Sequence, residues 1–197
     1  MKYFMSQESI ILSITEEGLA QSVEHLMNTN DNVPEFSDAD HNFVVTENLP
    51  GGTSVGKVQA TDNDNGTNAE LVYSIMSGEN SNHFFIHPLQ GILYTAVMLD
   101  RESVKDYRIK VKVSDSAAFS LDLSNITTVY ITVLDRNDNS PRFALPFYNA
   151  SVREKTVSGT SVTTVTADDP DRDANAELTY SITHSSSTEY FDINSVT

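Results

Sequence analysis

The sequence repeats acidic residues at a short spacing that suits the binding of a divalent cation. Asp100 and Glu102 are separated by one residue, as are Asp169 and Asp171. On an extended backbone, residues two positions apart point to the same face, so each pair can direct both carboxylates to one place. The segment 135–139 adds two aspartates and two asparagines. Because calcium takes six to eight oxygens from carboxylates, amides and backbone carbonyls, calcium is the cation that these segments suit.

The composition fits a cation-binding protein and excludes several other classes. The 197 residues include 28 Asp and Glu against 12 Lys and Arg, a formal net charge of −16. Nucleic-acid binding needs the opposite sign and is excluded, whereas a merely solvated acidic surface is the plain alternative to metal binding. There is no cysteine, which rules out thiolate metal sites and disulfides. An extracellular protein without disulfides needs another source of stability, and bound metal can supply it.

A tandem repeat determines where the acidic segments fall. Asn30-Asp31-Asn32 recurs 107 positions later as Asn137-Asp138-Asn139. One register without gaps also relates the following pairs: Glu47 and Glu154, Asp62 and Asp169, Asp64 and Asp171, Asn68 and Asn175, Tyr73 and Tyr180. Chance matches would not keep one offset over so many positions, so the chain contains a repeated unit.

The repeated unit has the periodicity of β-strands. Residues 107–113 alternate apolar and polar, as do residues 129–133, which is typical of strands with one buried face. Shorter strands are predicted near 42–47, 53–60, 71–76, 84–87 and 92–95. Seven short strands in about one hundred residues predict an all-β fold of tandem Greek-key, Ig-like β-sandwiches.

The repeat also predicts the domain boundaries. Residues 34–139 form one complete unit, and residues 140–197 begin a second, which we expect to be truncated after roughly its first four strands. Residues 1–33 are interpreted as the tail of a truncated preceding repeat or as an unrelated leader, ending in a linker with calcium ligands.

Four motifs in this order resemble the extracellular repeat of the cadherin family. They are Thr46-Glu47-Asn48, Ala60-Thr61-Asp62-Asn63-Asp64-Asn65-Gly66-Thr67-Asn68, Leu99-Asp100-Arg101-Glu102 and Asp135-Arg136-Asn137-Asp138-Asn139-Ser140-Pro141. The complete unit carries all four, and the second unit matches as far as it runs. The resemblance implies seven-stranded sandwiches in tandem, with three calcium ions between consecutive repeats. Because tryptophan is absent, a protocadherin-like or long many-repeat type is expected rather than a classical cadherin.

The same resemblance implies which residues hold each ion between the two units. The outermost ion would take Glu47, Asp100, Glu102 and Asp138. Its neighbour would take Glu47, Asp100, Glu102, Asp135, Asp138, Asp171 and the carbonyl of Arg136. The third would take Asn137, Asp169, Asp171 and the carbonyls of Asn139 and Asn175. A further aspartate equivalent to Asp115 would fall at position 222, outside the sequence, so the third site is expected to be the weakest.

An upstream junction is expected at the start of the complete unit. Its candidate ligands for a site of the third kind are Asn30, Asp31, Asn32, Asp62, Asp64, Asn68 and Asp115. The glutamate and the Asp-Arg-Glu segment of such a junction would precede residue 1. Asn28 stands where Asp135 stands in the repeat, which removes one charge.

Other interpretations of the acidic residues fit less well. An EF-hand loop starting at Asp62 would need glycine at 67 and glutamate at 73, where the sequence has Thr67 and Tyr73. Paired carboxylates of a glycosidase are disfavoured because the acids lie at repeat ends and tryptophan is absent. No nucleophile elbow or phosphate-binding loop is present, so we do not expect an enzyme.

The expected function is calcium-dependent, homophilic cell–cell adhesion, as part of a longer plasma-membrane glycoprotein whose ectodomain faces the outside. Calcium and another cadherin-like ectodomain are the expected partners. The alternative is a calcium-stiffened structural spacer in a large cell-surface receptor, with recognition elsewhere. Asn65, Asn125 and Asn149 begin N-glycosylation sequons, and no stretch approaches the length of a membrane span.

Overall fold

The computed structural model describes residues 4–6, 9–11, 29–115, 122–183 and 190–195. Strands β1 (Phe4–Ser6) and β2 (Ser9–Ile11) pair as an antiparallel hairpin. The remainder of 1–28 lies outside the described residues, so the assignment of 1–33 stays a prediction. In the described part of the chain, no helix has the length and apolar character needed to cross a bilayer.

The first unit is a sandwich of two main sheets. Its strands are β3 (Glu35–Phe36), β4 (His41–Thr46), β5 (Ser54–Lys57), β6 (Ala60–Thr61), β7 (Val72–Ile75), β8 (Phe84–Ile86), β9 (Ile92–Thr95), β10 (Asp106–Ser114) and β11 (Ser124–Leu134). One sheet has the order β4-β11-β10-β7 and the other β5-β9-β8, while β3 pairs with β6. The two main sheets have four and three strands, which confirms the seven-stranded sandwich predicted from the sequence; β3 and β6 form a separate short pair. Each predicted strand overlaps an observed one.

The core lies between the two sheets. Along β10, Tyr107, Ile109, Val111 and Val113 are buried while the residues between them face outward, which confirms the predicted alternation. Buried residues of β11 and Leu93 of β9 complete the apolar interior. Burial of this contiguous apolar area is the main favourable term that holds the sheets together.

The close approach of two segments requires glycine at position 91. Gly91 has a φ of +67°, and a Cβ added there would overlap the Val58 carbonyl oxygen. The Val58 amide donates to the Gly91 carbonyl oxygen at 2.9 Å. Glycine is therefore required both by the left-handed backbone and by the space.

The second unit reproduces the first only in part. Strands β12 (Arg142–Phe143) and β13 (Ala167–Asp168) and the 3₁₀ turn Asp173–Ala176 lie 107 positions after β3, β6 and the 3₁₀ turn Gly66–Ala69. The tyrosine hydroxyls also repeat: Tyr73 accepts from the Ala60 amide and Tyr180 from the Ala167 amide, both at 2.9 Å.

The expectation of about four strands in the second unit is wrong for the described residues, since 144–166 contain none. In the first unit β4 pairs with β11, and β5 with β9. The equivalents of those partners would begin at 231 and 199, which the 197-residue sequence does not include. Without a neighbour, a strand leaves its backbone donors and acceptors unpaired, so it does not form.

We expect Leu93→Ala to lower the free energy of unfolding by about 2–5 kcal/mol, because it leaves a cavity in the core. Leu93 is 0% exposed, whereas Leu89 is 71% exposed, so Leu89→Ala is the matched control and should change stability by less than about 0.5 kcal/mol. Urea unfolding followed by circular dichroism measures both. Equal effects of the two substitutions would contradict the assigned core.

The sequons differ in accessibility. Asn149 is exposed, while Asn125 is half-buried, with its Nδ2 donating to the Pro34 carbonyl oxygen at 3.1 Å. When the chain is secreted from mammalian cells, Asn149→Gln should remove one glycan. The variant should then have a lower mass than the wild type, and treatment with N-glycosidase should abolish that difference. Asn125→Gln should leave the mass of the carbohydrate unchanged, and a shift with that variant would contradict the expectation.

Candidate metal centre

Glu47 is the buried residue, here called the anchor, of the acidic junction at which residues 34–139 meet residues 140–197. It directly follows β4, and its amide donates to the Leu134 carbonyl oxygen at 3.1 Å. Its side chain is wholly buried, with Oε2 accepting from the Arg101 amide at 2.7 Å and Oε1 from the Arg136 amide at 2.8 Å. A buried carboxylate is tolerated only when its charge is compensated by such hydrogen bonds. Glu47 thereby ties the loop before β10 and the segment after β11 to the end of β4.

Two groups of carboxylates surround this anchor. Oxygens of Glu47, Asp100 and Glu102 lie within 4.8 Å of one another, and so do oxygens of Glu102, Asp135 and Asp171. Glu102 belongs to both groups. The second group joins the first unit to the loop of the second unit that contains Asp171, which is 5% exposed.

The negative charges in these groups repel one another. Partial burial raises the pKa of the Glu102 carboxyl, and the charges of Glu47 and Asp138 raise it further. Burial opposes ionisation of Asp135 as well, but hydrogen bonds from the Asn175 side chain and the Arg172 amide outweigh it and lower its pKa. The junction therefore holds negative charges that hydrogen-bond donors and the guanidinium groups of Arg101 and Arg172 partly offset.

The linker 135–139 connects the units through several hydrogen bonds. Asp135 Oδ2 accepts from Asn175 Nδ2 at 2.9 Å, and Asn139 Nδ2 donates to Asp171 Oδ1 at 2.8 Å. Asp169 Oδ1 accepts from the Asp171 amide at 3.1 Å. The side chains of Arg136, Asn137 and Asp138 are exposed.

The hydrogen bonds around Asn139 and Asp171 recur upstream, around Asn32 and Asp64. Asn32 Nδ2 donates to Asp64 Oδ1 at 2.6 Å, and Asp62 Oδ1 accepts from the Asp64 amide at 2.8 Å. The Asn32 side chain lowers the pKa of Asp64 most, with burial opposing it. Asn32 also donates to Asp31 Oδ1 at 3.1 Å. This network matches that of Asn139, Asp171 and Asp169 residue for residue at the 107-residue offset.

The structure groups the remaining upstream residues less completely. Asn68 is buried and Asn30 is half-buried. Asp115 is 2% exposed, and both of its carboxylate oxygens accept from the Leu123 amide, at 3.0 and 3.2 Å. Asp115 joins neither of the two carboxylate groups found among the described residues.

The donors fit calcium in kind. The two groups combine carboxylates on extended or loop backbone, the oxygen-rich set that calcium selects over softer metals. Upstream, Asp62 Oδ2 is buried without a hydrogen-bond partner. A buried, unpartnered carboxylate oxygen is costly, and a cation at that place would satisfy it.

Three supporting residues were not among the ligands predicted from the sequence. Asn48, with a φ of +58°, donates from Nδ2 to Asp138 Oδ2 at 2.6 Å. Ser103 Oγ donates to Asp100 Oδ2 at 2.7 Å. Arg101 pairs with Glu102 and Asp135. Each adjoins a proposed ligand in sequence, which is the one signal that could have identified them.

Comparison with known proteins identifies the family. The family model described as "Cadherin domain" matches residues 41–134 and 148–197. Cadherin-8 of Homo sapiens is 40% identical over 170 residues, which cover 84% of this chain and 21% of that protein. Protocadherin-16 of Rattus norvegicus is 40% identical over 179 residues, covering 86% and 5%. The chain thus spans about a fifth of the length of the first relative and about a twentieth of the second.

Solved structures agree with this assignment. The protocadherin gammaB7 EC3-6 cis-dimer structure has a TM-score of 0.77 at 28% identity, covering 86% of this chain and 42% of that chain. Mouse Cadherin-23 EC22-24 has a TM-score of 0.72 at 36% identity, covering 80% and 50%. Both cadherins and protocadherins occur among the relatives, so the expected protocadherin-like type stays a prediction. The chain belongs to the cadherin family and is a fragment of a cadherin ectodomain, from a family of non-enzymatic adhesion proteins.

Proposed function

We propose that the chain binds calcium where residues 34–139 meet residues 140–197, and that the bound ions fix the orientation of the two units. The observation that carries the proposal is the position of Glu102, which lies within 4.8 Å of carboxylate oxygens from β-sandwich loops and from Asp171 of the second unit. Residues from both units therefore contribute to one cluster of negative charge.

The charges explain why calcium would stiffen the junction. The two groups contain five acids, Glu47, Asp100, Glu102, Asp135 and Asp171, and the proposal adds Asp138 and Asp169 to make seven. Each pair of charges about 4 Å apart repels by about 1 kcal/mol in water and about 4 kcal/mol at an effective dielectric of 20. Three divalent ions would supply six positive charges against these seven. Repulsion would weaken the metal-free junction, and ions that bridge both units would stabilise it.

The individual ligand sets follow from the resemblance and are part of the proposal. Glu47, Asp100 and Glu102 would serve the ions nearest the first unit. Asp169, Asp171 and Asn175 would serve the ion nearest the second unit, together with backbone carbonyls of the linker. The upstream residues Asn30, Asp31, Asn32, Asp62, Asp64, Asn68 and Asp115 would form a separate site, supported by the unpartnered oxygen of Asp62.

The whole protein would act in calcium-dependent adhesion at the cell surface. This chain would be one part of an extracellular rod, anchored by a segment outside this sequence, whose partner is another cadherin-like ectodomain by homophilic or heterophilic contact. The relative whose structure is described as a cis-dimer supports contact between ectodomains. A stiff spacer, with recognition in other repeats, is the alternative.

We expect calcium to stabilise the chain, and Asp138→Asn to reduce that effect. Calcium at about one hundred times its dissociation constant adds about 2.7 kcal/mol per site, which raises the melting temperature by roughly 5–10 °C for a protein of this size. Asp138 is exposed, so its substitution should remove a ligand without opening the core. Differential scanning calorimetry with calcium and with EDTA measures the rise.

The matched control for this prediction is Asp106→Asn, since Asp106 is an exposed aspartate of β10 outside the proposed ligands. It should keep the full rise in melting temperature. A wild-type chain that melts at one temperature with calcium and EDTA would overturn the proposed function.

Bead aggregation distinguishes adhesion from the spacer role. Beads coated with the full ectodomain should aggregate in calcium and disperse in EDTA. Deletion of residues 34–197 should abolish aggregation if these units recognise the partner. Aggregation that persists when a calcium-binding spacer of equal length replaces them would favour the alternative.

A further inference from the structure

Arg101 lies inside the acidic junction between two proposed calcium ligands. Its Nη1 is 3.2 Å from Glu102 Oε1 and 3.2 Å from Asp135 Oδ1, and its side chain is only 11% exposed. Throughout 29–115, 122–183 and 190–195, these are the only ion pairs that a lysine or arginine makes with an acid. Among the lysines and arginines of these ranges, Arg101 alone is paired with an acid, and it stands within the cluster.

We propose that the Arg101 guanidinium is an internal counter-cation that neutralises part of the acidic cluster when metal is absent and competes with calcium for Glu102 and Asp135. This inference rests on the proposed function and adds a residue that sets the calcium concentration at which the junction closes. Arg101 is a positioning residue rather than a ligand, because a guanidinium has donors only and offers calcium no oxygen.

The backbone fixes Arg101 in the cluster. Its amide donates to Glu47 Oε2 at 2.7 Å, so the main chain cannot leave without breaking a hydrogen bond to the buried anchor. The side chain is long enough for the guanidinium to turn away while the backbone stays. Arginine also remains charged at every physiological pH. The guanidinium can therefore bridge the carboxylates when metal is absent and move aside when calcium arrives.

The positive charge of Arg101 should weaken calcium binding. Glu102 and Asp135 both belong to the group completed by Asp171, whose oxygens lie within 4.8 Å of one another. A cation bound by that group must share its carboxylates with Arg101 or displace the guanidinium. Repulsion between a unit charge and a divalent ion about 5 Å apart in water corresponds to about a tenfold change in affinity.

The experiment compares Arg101→Gln, Arg101→Lys and the wild-type chain of residues 1–197. Isothermal titration with calcium chloride gives the affinity, and thermal unfolding in EDTA gives the metal-free stability. Arg153→Gln is the matched control: it removes the same charge from an exposed arginine that makes no ion pair within the described residues.

Arg101→Gln should bind calcium about tenfold more tightly and melt about 2–4 °C lower in EDTA. Arg101→Lys keeps the charge and should stay within about twofold of the wild type. Arg153→Gln should change neither quantity. This pattern is opposite to that of a ligand or a merely structural residue, whose loss would weaken calcium binding.

The outcomes separate the two proposals. If the wild type binds calcium and Arg101→Gln binds it equally or more weakly, the counter-cation role is overturned while the proposed function stands. If the wild type binds no calcium, the proposed function fails and the competition fails with it. If Arg101→Gln is too unstable to titrate, Arg101→Lys decides, because lysine retains the charge. A calcium affinity of Arg101→Lys about tenfold above that of the wild type would then overturn the inference.

Discussion

Crowding of like charge where the β-sandwich of residues 34–139 meets the second repeat unit is the constraint on which the rest of this structure depends. The Glu47 carboxylate is wholly buried and is tolerated because two backbone amides donate to it. Around it, Glu102 lies in both carboxylate groups. Hydrogen bonds from Asn48, Asn139 and Ser103 offset part of the repulsion, as do the two ion pairs of Arg101. What remains is an excess of negative charge, on which the proposal of calcium binding rests.

The sheet topology brings these residues together. Because β4 pairs with β11 in parallel, with Thr46 opposite Leu134, both strands end at the same edge of the sandwich. Glu47 follows one and Asp135 follows the other, although 88 positions separate them. Strand β10 runs antiparallel to β11, with Asp106 opposite Thr132, so the loop that precedes it, with Asp100 and Glu102, starts from that same edge. A fully antiparallel arrangement would have sent Glu47 to the opposite end.

Much of this could be predicted from the sequence because it depends on local pattern. Alternation along 107–113 identified β10 and its buried face, and the 107-residue offset predicted the equivalence of Asp64 and Asp171, whose hydrogen bonds match. Strands of the second unit could not be predicted in this way, because a strand with suitable alternation forms only beside a partner. The contacts of Asn48, Arg101 and Ser103 could not be predicted from the sequence either, because each depends on a contact across the fold or on side-chain direction.

The sequence by itself determined the repeat, the all-β fold and which acids are candidates to bind metal, because these follow from residue type, spacing and register. Only the tertiary structure decided which candidates share a cluster. It placed Glu102 between two groups, brought Arg101 among them, and turned both oxygens of Asp115 to the Leu123 amide. The reason is physical: spacing along a strand fixes the face on which a side chain lies, whereas distance between loops is fixed by strand pairing and core packing.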